Sequence, residues 1–535
     1  MKKITLIFLI SLFSVLSIHA QRTDLVYSAE KNAEKDFSTY KIEILNNGNT
    51  ANIGLNAGVG FFCTLYDANK KTIAHTIVPT TFEIKVSVMK SVFEVNNEIV
   101  VFILSSLNDV PILSRYIFDG VSGKLKKEEI VLSKPVTSKI KVMSPSQYAN
   151  MIPPDFFIQK DPNSDYYAVG YFDYWATDIN KKIEVIHYSP THEIVSKAYL
   201  ANPEIKYLKL HHAALYVNGG KSVILSSYLY NLKDDKIKEN EACFYISELK
   251  AGTTNFRSLK ALETAYYHKG EALFIFNKVT NKVQLISVIW VNDEKGKNGG
   301  YNIVSQTLNV ETLALTGTIN LYSNKLDAAY MAAYSGQHYR GFPQHYSVNS
   351  KGNILILSQM ATYEELGTAQ LSEIGISSWT PAGKDTYGTL IHYINTQGTK
   401  TKSFIYARGL NGQYAYGNYF DEYVEMYVGL ISGKSNSYLF FNNTVERFEM
   451  GDKPPIIWNS VSSRKPKFTS FVYTLNDEGV VSKEYIFGKP TSETDAKYCR
   501  FNTADYDPAT GLYAVIVVDR IKGKKTVSVL WMNLK

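Results

Sequence analysis

The sequence predicts an all-β protein built from repeated four-stranded antiparallel units. Three observations carry this expectation. Short runs rich in β-branched and aromatic residues recur along the chain, among them "EIVVFILSS", "KSVILSSYLY", "VQLISVIWV", "GNILILSQM" and "LYAVIVVD". Turn chemistry separates them, as in "NGG", "NSKG", "DPATG" and "NDEG". Amphipathic helical patterns are scarce, with Glu30 to Tyr40 and Thr362 to Ile374 as weak candidates.

The strands fall into two kinds of hairpin. One has a polar turn and polar flanks: "FFCTLYDANKKTIAHTIV", "SRYIFDGVSGKLKKEEIVL", "IEVIHYSPTHEIVSKAYL", "CFYISELKAGTTNFRSLKAL", "NIVSQTLNVETLALTGTINL", "LIHYINTQGTKTKSFIYA" and "SFVYTLNDEGVVSKEYIF". The other is more apolar and falls between them, as in "SVFEVNNEIVVFILSS", "HAALYVNGGKSVILSSYLY" and "DYDPATGLYAVIVV". The alternation repeats every ~55–80 residues. Two hairpins make a four-stranded antiparallel unit with two open edges and faces it cannot bury alone. Stacking such units around an axis covers both faces, with the apolar pair innermost.

This pattern resembles the β-propeller architecture over nearly the whole chain after the leader. The apolar hairpins, with Glu422 to Asn443 included, give about seven four-stranded blades. Six or eight blades, or tandem β-sandwich domains, are the alternatives. The ends of the chain set the domain boundaries: a leader at 1–20, an N-terminal segment at 21–60 and one propeller domain at 61–535. After "LYAVIVVDRIKGKKTVSVLWMNLK" the last unit lacks a fourth strand, so an N-terminal strand should close the ring. "YKIEIL" or part of Phe61 to Val78 is the expected donor. That closure would bring Cys63 towards Cys499 as a conditional disulfide, with unpaired thiols buried as small hydrophobes the favoured expectation. There is no Trp-Asp repeat, kelch Gly-Gly pattern or sialidase-type Asp box, so the resemblance stops at the architecture.

The leader itself is "MKKITLIFLISLFSVLSIHAQ". Lys2 and Lys3 precede an apolar stretch shorter than the ~20 residues of a membrane span, and a small residue, Ala20, ends it. This is the layout of a cleaved export signal, and its Ala-Gln ending resembles those of Bacteroidota. A secreted or periplasmic product, cut near Ala20 and without a membrane span, is therefore expected. The 45% hydrophobic content supports a packed core. The 57 basic and 50 acidic residues give a formal charge of +7 without any basic block, so nucleic acid is not an expected partner. Three cysteines with no Cys/His cluster give no structural zinc site. Gly-rich phosphate loops are also absent, and no cofactor is expected.

In propellers as a class, ligands bind on the face where innermost strands begin and second strands end. The resemblance implies the same face here, and loops placed there carry function disproportionately. Segments leading into inner strands supply His211 (with His212) from "LKLHHAALY", Tyr267 and His268 from "AYYHKGEA", and His338, Tyr339, Arg340 and His345 from "QHYRGFPQHY". "YCRFNTADY" adds Tyr498 and Arg500 there. "GYFDYWATD", leaving a second strand, supplies Tyr171, Asp173 and Trp175. The chain is rich in tyrosine, with 39 Tyr against 5 Trp, and such rings stack on sugars or peptide side chains while Arg and Asp give directional hydrogen bonds.

Catalytic motifs are missing. No nucleophile elbow of the G-x-S-x-G kind occurs. Asp173, Asp421 and Glu422 are carboxylates available for glycoside chemistry, but nothing in the sequence pairs them across a bond. The expected function is a secreted, non-catalytic binder of a protein or carbohydrate ligand. An exported glycoside hydrolase or lyase, or a structural part of a cell-surface assembly, are the other readings.

Overall fold

A computed structural model describes residues 22, 24–32, 38–56, 59–80, 82, 87–107, 110–133, 155–173, 176–231, 241–265, 271–291, 300–321, 342–361, 385–396, 400–411, 428–445, 467–477, 479–490, 496–521 and 524–534. The leader lies outside these residues. The described strands form eight four-stranded antiparallel units, numbered here in chain order. Their inner strands are Ser38–Ile44, Val88–Val95, Asp155–Lys160, Lys209–Asn218, Glu271–Asn277, Phe342–Val348, Val428–Ser432 and Ala496–Asp507. Within units one to seven, the next three strands in sequence pair outward in order.

The division into apolar inner and polar outer pairs holds, for a physical reason. A second strand such as Ser222–Tyr230 is buried at every position, because neighbouring units cover both its faces. A fourth strand such as Leu315–Asn320 is largely exposed and tolerates polar residues.

The core lies between units, not within them. One buried cluster joins units one and two through Ile53, Phe61, Val101 and Tyr116. Further clusters join two to three, three to four, and so on to seven and eight. The last joins unit eight back to unit one: Tyr498, Ile516, Val529 and Trp531 pack on Tyr40, Ile42, Phe62 and Tyr66. Each unit thus buries one face on the unit before it and one on the unit after it. The result is a propeller-like ring, and two separate sandwich cores are excluded.

Ring closure comes from the start of the chain. Unit eight takes three strands from the C-terminal end, Ala496–Asp507, Leu512–Ile521 and Lys524–Asn533. Its outer edge is paired by Val26–Tyr27, against Trp531 and Leu530, and by Lys31–Asn32, against Val527 and Thr526. Between them Ser28 N–H donates to Val529 O at 2.9 Å, and Val529 N–H donates to Ser28 Oγ at 2.9 Å. The expected donors differ from this. "YKIEIL" lies in the inner strand of unit one, and Phe61 to Val78 falls in the outer pair of that unit.

The same residues explain the difference between about seven units expected and eight described. Residues 38–56, assigned to a separate N-terminal segment, form the missing inner hairpin, turning at Gly48 with φ +85°. The helical candidate at Glu30 to Tyr40 instead contains Lys31–Asn32 and the start of Ser38–Ile44 as strand, while Thr362 to Ile374 lies outside the described residues. Cys63 and Cys499 do not pair: both are free and buried, Cys63 between units one and two and Cys499 between seven and eight. Burial pushes the Cys63 thiol up to about 12. Among the described residues, no helix is long and apolar enough to cross a membrane.

Units two and three are further joined by a buried polar chain. Arg115 bonds Glu129 and the Tyr167 hydroxyl, and its guanidinium lies 4.7 Å from the Tyr188 ring. The Tyr167 hydroxyl meets His192 Nδ1 at 2.9 Å, and His192 Nε2 meets Glu98 Oε2 at 2.9 Å. Every member has a partner, which is the condition for burying such groups at low cost.

Candidate functional site

The candidate site lies between units three and four, where the second strand of one ends and the inner strand of the other begins. Tyr171 is the second-last residue of Tyr167–Phe172 and faces unit two, its ring 5.3 Å from Phe156. Its hydroxyl bonds Asp173. Burial first, and then the Asp173 charge, push the phenol well above its ordinary range. Asp173 is itself buried, and its N–H donates to Lys182 O at 2.7 Å. This bond continues the ladder by one step and sets the carboxylate beside Lys182. Burial pulls the Lys182 ammonium down to about 8; Asp173 opposes that shift and Lys209 adds to it. Lys209 opens the inner strand of unit four. A carboxylate, two lysines and a phenol therefore gather at one mouth of the ring.

His211 and His212 follow Lys209, where the ladder to the second strand shifts register, and both rings meet aromatic side chains of unit three. The His211 ring lies 4.6 Å from Phe172, and its Nδ1 meets His212 O at 2.6 Å. His212 is half-buried and stacks on Phe157 at 3.4 Å, and burial of its ring pulls the imidazole well below its ordinary range. His211 thus packs on the residue before Asp173, and His212 on the inner strand of the same unit.

His345 lies apart from this group, on the inner strand of unit six. It is half-buried; burial first and then Lys41 pull its imidazole down to about 4. Tyr498 is buried in the seam between units eight and one, and Arg500 lies 5.4 Å from the Tyr40 ring. Trp175, Tyr267, His268, His338, Tyr339 and Arg340 lie outside the described residues, as do Asp421 and Glu422. Among the described residues no three His, Cys, Asp or Glu side chains are placed to hold a metal ion.

Sequence reasoning missed Lys182 and Lys209. Each is an ordinary surface-type residue until the ring sets it near Asp173. It also missed a second polar group inside the ring, formed by Lys41, Glu43, Glu94 and Asp505. The available signal there was "FNTAD": polar residues interrupt what otherwise reads as an inner strand. They form a bulge. Arg500 pairs with Ile516 and Asp505 with Ala514, so the intervening residues of one strand face Val515 alone on the other.

No known protein family matches the chain, and no curated protein does. Several solved structures resemble it in fold. A prolyl endopeptidase aligns at TM-score 0.39 and 10% identity over 91% of this chain, which spans 54% of that one. The polysaccharide lyase Uly1 aligns at TM-score 0.38 and 7% identity, covering 84% of this chain and 90% of the other. An ulvan lyase bound to -[GlcA(1-4)Rha3S]- aligns at TM-score 0.37 and 8% identity, covering 82% and 90%. Likenesses of this degree bear on neither activity nor ligand.

Proposed function

We propose that the protein is an exported binding protein, its leader removed near Ala20, that takes a protein or glycan ligand at the mouth between units three and four. The observation that carries this reading is the gathering of Asp173, Lys182 and Lys209 there. Asp173 offers an acceptor to ligand hydroxyls or amides. The two lysines offer donors, and partial burial strengthens each such bond relative to water. His211 adds a ring edge beside them. Tyr171, being buried, acts as a positioning residue that fixes Asp173.

The test is binding of the exported protein to panels of glycans and of surface proteins. Hits are then compared with Asp173→Asn and with the double variant Lys182→Met, Lys209→Met. Loss of one charged hydrogen bond at ~1.5–3 kcal/mol weakens binding by about tenfold or more. That loss, with unchanged melting temperatures, supports the reading. Equal affinity in all three proteins refutes it.

A further inference from the structure

A second site is built where the inner strands of units eight, one and two end. Three carboxylates meet there, each accepting a main-chain N–H from a neighbouring unit. Asp505 Oδ2 accepts from Ile44 at 2.7 Å, Glu43 Oε1 from Glu94 at 3.1 Å, and Glu94 Oε2 from Asn46 at 2.8 Å. The bulge of unit eight brings Asn502 to the same place, where Lys41 Nζ donates to its main-chain oxygen at 2.5 Å.

Two buried acceptors at this site have no donor. One is Glu94 Oε1, on a residue only 6% exposed, and the other is Asn502 Oδ1. Leaving such an atom without a donor costs about 1–3 kcal/mol, more if it is charged. Charge is also left over. Glu43 and Asp505 face Lys41, and Glu94 faces Lys160, which is already paired with Asp165 at 3.0 Å. Burial first and then the Asp505 charge raise the Glu43 carboxyl, and burial first, with Asp507 adding to it, raises that of Asp505. A ligand that answers both deficits must bring positive charge and several N–H donors. The spacing suits no metal ion among the described residues.

We propose that this end of the ring binds a primary ammonium group, supplied by an alkylamine or by a lysine side chain. Such a group carries one charge and three donors, directed here to Glu94 Oε1, Asn502 Oδ1 and the Asp505 or Glu43 carboxylate. This site is separate from the mouth between units three and four, and its test is independent of that reading.

The full-length protein is titrated by calorimetry with n-butylammonium, Nα-acetyl-lysine methylamide, tetramethylammonium and n-butanol. Saturable binding of the first two, with neither control bound, supports the site. A tighter lysine derivative assigns a peptide source, and equal affinities assign the free amine. Glu94→Gln and Asp505→Asn keep their main-chain acceptor, so folding is retained, and each is expected to weaken binding about tenfold. Asn502→Ala provides a second variant with charge unchanged, again expected to bind more weakly. Binding of tetramethylammonium equal to that of butylammonium would overturn the proposal. So would no binding of either amine, or affinities unaltered in all three variants.

Discussion

Trp531 offers the sharpest test of how the ring closes. Its side chain is 1% exposed, sits in the cluster joining units eight and one, and meets the Tyr66 ring edge-on at 5.1 Å. Its Nε1–H donates to Thr50 Oγ1 at 3.1 Å, and Thr50 is itself fully buried. Truncation to Ala removes burial and leaves a cavity, at ~3–5 kcal/mol. The Thr50 hydroxyl also loses its donor, adding ~1 kcal/mol. Trp531→Phe keeps most of the ring contact and loses the bond, so it should cost about 1–2 kcal/mol. Urea unfolding followed by far-ultraviolet circular dichroism reads both without relying on indole emission. The expected order of midpoints is wild type, then Phe, then Ala, with an unchanged slope. A Trp531→Ala midpoint within ~0.5 kcal/mol of wild type would mean that the two ends of the ring do not pack together.

Other expectations follow from single contacts. Arg115→Met leaves Glu129 and the Tyr167 hydroxyl without their guanidinium. It should destabilise by about 2–4 kcal/mol in the same assay, discounted from a fully buried pair because Glu129 is partly exposed. His187 is buried with Nε2 on Gly219 O at 3.0 Å, and burial pulls its pKa from 6.5 down to about 4. The unfolded chain then binds the proton first as pH falls. Stability from this group is complete above the unfolded value of 6.5 and is lost between there and about 4, a change of about 3 kcal/mol. An NMR titration of His187 with a midpoint near 6.5 would contradict this. Gly120→Ala would set a Cβ 2.3 Å from Asn97 O, forcing the backbone to move, and should lower stability by ~1–3 kcal/mol; an unchanged midpoint would refute the contact.

Much of the ring was legible in the sequence because its cause is local. Inner pairs are covered on both faces and must be apolar, while outer pairs meet water, so the two hairpin types separate by composition alone. The closing strand was not legible. Val26 and Tyr27 are 48% and 39% exposed, carry no alternation, and owe their place to pairing with residues at the far end of the chain. Because "YKIEIL" reads equally well as a lone closing strand, the hairpin it opens does not stand out as an inner pair of its own.

The site divides the same way. Asp173 and His211 could be found because each follows or leads a recognisable strand. Lys182 and Lys209 acquire their meaning from the packing of unit three on unit four, which no local pattern encodes. Asp505 stands in a bulge, and a bulge appears in sequence only as a strand with polar residues out of step. His345 follows the same lesson from the other side: its address on an inner strand was readable, but its neighbour Lys41, from unit one, was not.

The most direct measurement of the proposed function is hydrogen–deuterium exchange of the protein with and without a ligand identified by the binding panels. Slower exchange confined to residues 171–182 and 207–211 is the expected result. Protection elsewhere, with those two segments unchanged, would contradict a ligand seated between units three and four.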